Sequence, residues 1–112
     1  MIIKGAVAVI TGAAGGIGRA VAIDLAKREV GGLALVDQSE GVRDVTEMVN
    51  EFTGRRVAAP YIGDVTDAGF RNTVYADVKA KFGRANICVP TAGVTRDQLA
   101  VKFDKESKRL TI

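Results

Sequence analysis

Three glycines, Gly12, Gly16 and Gly18, stand between a short apolar run and a segment of helical periodicity. Missing side chains there permit a tight turn and leave backbone amides and a helix terminus open to a pyrophosphate. Nineteen residues beyond Gly18, Asp37 closes the next apolar run, Leu33-Ala34-Leu35-Val36. A carboxylate at that place can accept hydrogen bonds from the 2′- and 3′-hydroxyls of a ribose. It would repel an adenosine 2′-phosphate, and neither Gly15 nor Gln38 supplies a cation beside it, so NAD is favoured over NADP. The plain alternative is a glycine turn and a strand-ending acid in a domain that binds nothing.

Other reactive residue types lead less far. Tyr75 and Lys79 are one helical turn apart, where an ammonium can favour a phenolate. They sit beside Val74 and Val78 on a crossover helix, which reads as a structural tyrosine and a solvated lysine. Cys88, between Ile87 and Val89, reads as core, because the chain has no histidine to act as its base. A single cysteine excludes an internal disulfide, and the absence of histidine removes the usual zinc patterns. Lys102, Lys105, Lys108 and Arg109 are mixed with Asp104 and Glu106 and read as a wet face.

The elements that must position these groups follow from periodicity. Gly5 to Thr11 is a β-branched run without alternation, as expected of a strand buried on both faces. Ile17, Val21, Ala22, Leu25 and Ala26 recur at helical spacing, and Gly31-Gly32 is the expected stop. Leu33 to Asp37 forms strand two, with Ser39 as expected cap for a helix whose stripe is Val42, Val45, Val49 and Phe52. Val57 to Ile62 reads as strand three, at a sheet edge because Pro60 lacks a ladder donor. Gly63 to Asp67 is a turn and cap. Phe70, Val74, Val78 and Phe82 mark a third helix ending at Gly83, and Asn86 to Val89 a fourth strand with Pro90 at its end.

The 112 residues, 47% of them hydrophobic, bound one small layered domain with no linker or repeat. The expected fold is α/β: a Rossmann-type parallel sheet with helices on both faces and strand order 3-2-1-4. Residues 93–112 are expected to be a poorly defined loop or helical tail. The net charge of +3 comes from alternating signs, which argues against a nucleic-acid partner. Lys4 precedes an apolar stretch that soon enters glycines, unlike a secretory signal or a membrane span, so no membrane partner and a cytoplasmic location are expected.

Thr11-Gly12-Ala13-Ala14-Gly15-Gly16-Ile17-Gly18 resembles the TGxxxGxG motif of the short-chain dehydrogenase/reductase family. The resemblance runs from about Gly5 to Asp97, and Gly93-Val94-Thr95-Arg96-Asp97 is most similar to the branch that reduces 3-oxoacyl thioesters on acyl carrier protein. It implies that Asp64-Val65 lies beside the adenine ring. Pro90-Thr91-Ala92-Gly93 stands where the family has Asn-Asn-Ala-Gly, and both asparagines are lost. Pro90 supplies no donor and Thr91 one hydroxyl, so local bonding must differ. Asn86 stands where many relatives carry aspartate, a substitution that reads as neutral at an exposed strand start. The nucleotide-binding residues expected are Gly12, Ala14, Gly15, Gly16, Ile17, Gly18, Asp37, Gln38, Asp64, Val65, Thr91, Ala92 and Gly93.

The resemblance also implies hydride transfer between a nicotinamide cofactor and a carbonyl or hydroxyl, with a serine, a Tyr-x-x-x-Lys pair and an asparagine in the second half of a longer chain. Ser39 and Ser107 do not match that serine, and Tyr75 and Lys79 do not match the pair. The expectation is therefore the cofactor-binding part of an oxidoreductase, inactive alone, with the C-terminal half of the family fold absent or on a companion chain. A homo-oligomer is expected when the protein is complete. The alternative is a non-catalytic nucleotide-binding fragment, or pseudo-enzyme, that works as an interaction module.

Overall fold

Strand β1 (Val7–Thr11) shows why its sequence does not alternate between polar and apolar residues. Val7 and Val9 face one apolar cluster while Ala8 and Ile10 face another. Strand β2 (Gly32–Asp37) divides likewise, with Leu33 and Leu35 on one side and Ala34 and Val36 on the other. Successive side chains point to opposite faces, so a strand covered on both must be apolar throughout. The computed structural model describes residues 3–91. The expected tail, and the expected site positions Ala92 and Gly93, lie outside them.

The remaining elements are α1 (Gly16–Lys27), α2 (Val42–Thr53), β3 (Ala58–Ile62), α3 (Ala68–Phe82) and β4 (Ile87–Pro90). All strand pairs are parallel and the order is β3-β2-β1-β4, as the sequence predicts. Residues of α1 and α2 pack in the first cluster, and Val74 and Val78 of α3 in the second, so helices cover both faces. Parallel strands place every carboxyl end at one edge of the sheet, and the direction of the strand order reverses between β1 and β4.

Pro60 pairs with Leu35 in the outer strand β3, where one side of the ladder is free and a missing donor costs little. Asp67 caps α3 by accepting from the Gly69 amide at 2.9 Å. Asn50 on α2 holds β3 with both ends of its amide, accepting from Ala58 N and donating to Ala58 O.

Several local expectations need correction. Gly5 precedes β1 and adopts φ +81°. Helix α1 ends before Gly31, and Glu29 takes φ +62° so that the Val30 amide returns to the Leu25 carbonyl. Ser39 is not the cap of α2. Its Oγ accepts from the Gly41 amide in a turn one step earlier, and Gly41 precedes the helix. Phe52 continues the apolar stripe but lies 56% exposed, because that stripe outruns the sheet it packs on. Cys88 is only half-buried, since its side of β4 looks toward Tyr75. Asn86 is half-buried, not exposed: its Oδ1 accepts from Val7 N at 2.8 Å and its backbone N–H donates to Val7 O at 2.8 Å, two bonds that an aspartate can make equally.

Candidate functional site

The cleft at the carboxyl end of the sheet begins with Gly12, which turns the chain out of β1 at φ +72°. Only glycine takes that conformation freely. Gly12 O accepts from Gly15 N at 3.2 Å, closing the turn. A β-carbon at Gly18 would stand 2.2 Å from Gly12 O and 2.8 Å from Ala13 Cα, so α1 can approach β1 this closely only with glycine there. Gly16 differs, because among the described residues a β-carbon there would meet nothing within 4 Å beyond its own helical turn. Its bareness serves no internal packing and leaves space at the helix terminus.

That terminus is electrostatically open. Gly15 precedes α1 without a capping side chain, and the first turn contains no acid. The first amides of a helix lack carbonyl partners within it and carry the positive end of its dipole. Among the described residues no side chain takes them, which is the condition for receiving an anion.

Asp37 reaches the same place from β2. Its Oδ2 accepts from the Ala14 amide at 3.0 Å and its Oδ1 from the Ser39 amide at 2.9 Å. A carboxylate offers about four acceptor positions, so each oxygen keeps one for a ligand. The Ala14 bond ties the acid to the glycine turn, and Ala13 N adds a bond to Val36 O at 3.0 Å.

Gly12, Gly15, Asp37, Gln38, Gly63, Val65 and Thr91 line a cleft of about 370 Å³. Six of these seven positions are singled out by the sequence as site residues. Gly63 is not, although it follows β3 as Gly12 follows β1, and its amide donates to Asp37 O at 3.0 Å. Of the other expected residues, Ala14 acts through its amide, while Gly16, Ile17 and Gly18 form the first turn of α1. Asp64 turns away from the lining: its Oδ1 accepts from Thr66 N at 2.8 Å and Thr66 Oγ1 at 2.7 Å, which holds the carboxyl below its ordinary pKa. Val65 enters the lining in its place, its carbonyl accepting from Arg71 Nη1 at 2.7 Å.

Residues 6–112 match the short chain dehydrogenase family. The chain belongs to that family. Its sequence is 33% identical over 106 residues to the 3-oxoacyl-[acyl-carrier-protein] reductase of Thermotoga maritima, covering 95% of this chain and 42% of the relative. L-sorbose reductase from Gluconobacter frateurii, solved with NADPH and L-sorbose, superposes with a TM-score of 0.73 at 33% identity, over 84% of this chain and 36% of that one. NAD⁺-bound xylitol dehydrogenase superposes with a TM-score of 0.70 at 30% identity, over 79% of this chain and 33% of that one. The chain thus spans less than half the length of these relatives.

Within this short chain dehydrogenase sequence, Tyr75 and Lys79 stand apart from the cleft. The Tyr75 hydroxyl donates to Cys88 Sγ at 3.5 Å, and Lys79 is exposed. The bond to Cys88, and then burial, push the phenol up to about 12, against the direction that makes a tyrosine a base. Burial and a bond to Asp77 also push up Tyr61, which ties β3 to α3. Among the described residues no cluster of three His, Cys, Asp or Glu could hold a metal ion, and no helix is long and apolar enough to cross a membrane.

Proposed function

We propose that this chain is the dinucleotide-binding part of an NAD(P)-dependent oxidoreductase that moves hydride between a nicotinamide cofactor and a carbonyl or hydroxyl group. The observation that carries the reading is Asp37, fixed by two amides beside an uncapped helix terminus with acceptor positions to spare. Gly16, Ile17 and Gly18 present the amides that open α1 to the pyrophosphate, Gly12 and Gly15 form the turn beneath it, Ala14 anchors Asp37 through its amide, and Asp37 accepts from the adenosine ribose. Val65 packs beside the adenine while Asp64 stiffens its turn; Gln38 borders the ribose; Thr91 lies toward the nicotinamide. The bound dinucleotide supplies the hydride chemistry, and this chain's residues supply binding and orientation.

NAD is the preferred cofactor. Relatives are known with NADPH and with NAD⁺, so the choice rests on local residues. A 2′-phosphate at Asp37 would meet a fixed negative charge, with no cation at Gly15 or Gln38 to offset it. The match to 3-oxoacyl-[acyl-carrier-protein] reductases supports a 3-oxoacyl thioester as substrate. The remaining length of such relatives, in the same or a companion chain, would carry proton transfer, and the whole protein would assemble from identical copies.

Titration with NADH and NADPH, followed by cofactor fluorescence, tests this. Asp37→Ala should weaken NADH by about tenfold to a hundredfold, the order of two hydrogen bonds to a charged group, and narrow the preference over NADPH. Equal affinity of both cofactors for the variant and the parent would overturn the ribose assignment. A second reading, a nucleotide-binding module without turnover, is supported by the cleft lining, which contains no tyrosine, lysine or serine among the described residues. Turnover of NAD with a 3-hydroxyacyl substrate separates the two.

A further inference from the structure

Thr91 stands where the resembling family has asparagine, yet it is 5% exposed with its hydroxyl and its backbone N–H both bonded. Its hydroxyl donates to Thr11 O at 2.6 Å and lies 3.3 Å from Gly12 O, and its amide donates to Thr11 O at 3.1 Å. Gly12 O is also the acceptor for Gly15 N and the atom nearest to a β-carbon built at Gly18. The threonine hydroxyl therefore reaches the carbonyl around which the whole glycine turn is folded. A β-branched side chain has few rotamers, and the preceding Pro90 restricts the backbone that presents it, so the hydroxyl is aimed in advance.

We propose that Thr91 is a positioning residue for the pyrophosphate: by gripping Thr11 O and Gly12 O from β4, it fixes the glycine turn so that the amides opening α1 face the ligand. The inference rests on the dinucleotide reading above. Thr91 does not need to touch the nucleotide for this role. The site loses the asparagine amide and keeps one donor, directed at the point where the turn begins. A wider consequence is that strand β4, remote in sequence from the glycines, sets their geometry.

The test compares Thr91→Val, which keeps the shape and removes the hydroxyl, with Thr91→Ser, which keeps the hydroxyl. NADH is titrated by fluorescence, and adenosine, which lacks the pyrophosphate, by NMR shift changes. Thr91→Val should weaken NADH by about fivefold to tenfold, the order of one buried hydrogen bond, with adenosine affinity unchanged. Thr91→Ser should restore NADH binding to within about twofold of the parent. Equal NADH affinity in parent and Thr91→Val, or equal losses for NADH and adenosine, would overturn the role of Thr91 and leave the dinucleotide reading standing. No NADH binding by the parent would overturn that reading and this inference with it. If Thr91→Val does not fold, Thr91→Ala against Thr91→Ser makes the same comparison.

Discussion

Two regions of the molecule carry residues of catalytic type, and they are built in opposite ways. At the carboxyl end of the sheet, Gly12, Asp37 and Thr91 come from the ends of three strands, and bonds between those strands fix them. On the α3 flank, Tyr75 and Lys79 come from one helix, and the tyrosine spends its hydroxyl on Cys88 of the neighbouring strand. The first arrangement leaves acceptor positions and helix amides uncommitted. The second leaves only an exposed ammonium and a phenol whose proton is harder to remove. Proximity along a helix is thus a poor guide to a site, whereas convergence of unspent polar groups from separate elements is a better one.

The largest effect that can sharpen this contrast is Gly18→Ala. Its β-carbon would collide with backbone at 2.2 Å, so α1 must shift; stability should fall by about 3 kcal/mol in denaturant titration and nucleotide binding should be lost. Next, Val78→Ala hollows the opposite face, where Val78 is fully buried. It should cost about 2 kcal/mol in the same titration yet leave NADH affinity unchanged; a parallel loss of affinity would mean the two regions are coupled.

Gly16→Ala should have the reverse signature. Among the described residues nothing beyond its own helical turn lies within 4 Å of the added carbon, so stability should stay within about 0.5 kcal/mol while NADH weakens, because the carbon enters the ligand's space. Unchanged affinity there would remove the pyrophosphate from the terminus of α1. Smallest of all, Tyr75→Phe should leave NADH binding unaltered, and any loss would return the α3 flank to the site.

Tyrosine ionisation gives an independent check. Both tyrosines are pushed upward, Tyr75 to about 12, so ultraviolet titration at high pH should find no tyrosinate near neutrality. The folded protein then holds these protons more tightly than the unfolded chain. Their stabilisation is complete below the ordinary phenol value near 10 and is lost as pH rises through the folded value. A tyrosine ionising below 10 in the native protein would contradict the bonding to Cys88 and Asp77.

The strand order and most of the cleft were legible in the sequence, for identifiable reasons. Two-sided burial demands unbroken apolar runs such as Ala8-Val9-Ile10, and a proline such as Pro60 belongs at an edge. Helix boundaries were less legible. Glu29 takes a left-handed conformation usually left to glycine, which returns the Val30 amide to the Leu25 carbonyl, and Ser39 spends its hydroxyl on the Gly41 amide just before α2 begins. Phe52 obeys the helical period and still meets solvent, since periodicity names a face without stating how far the partner surface extends.

By itself, then, the sequence determined which residue types end these strands: a glycine that can turn the chain after β1 and an acid as the last residue of β2. Tertiary structure alone decided what those ends bond to. It gave Ala14 N to Asp37, gave Asn86 to Val7, and aimed Thr91 at the glycine turn from about eighty residues away. Each of these bonds joins groups that only strand pairing brings within about 3 Å, a distance that no periodicity encodes.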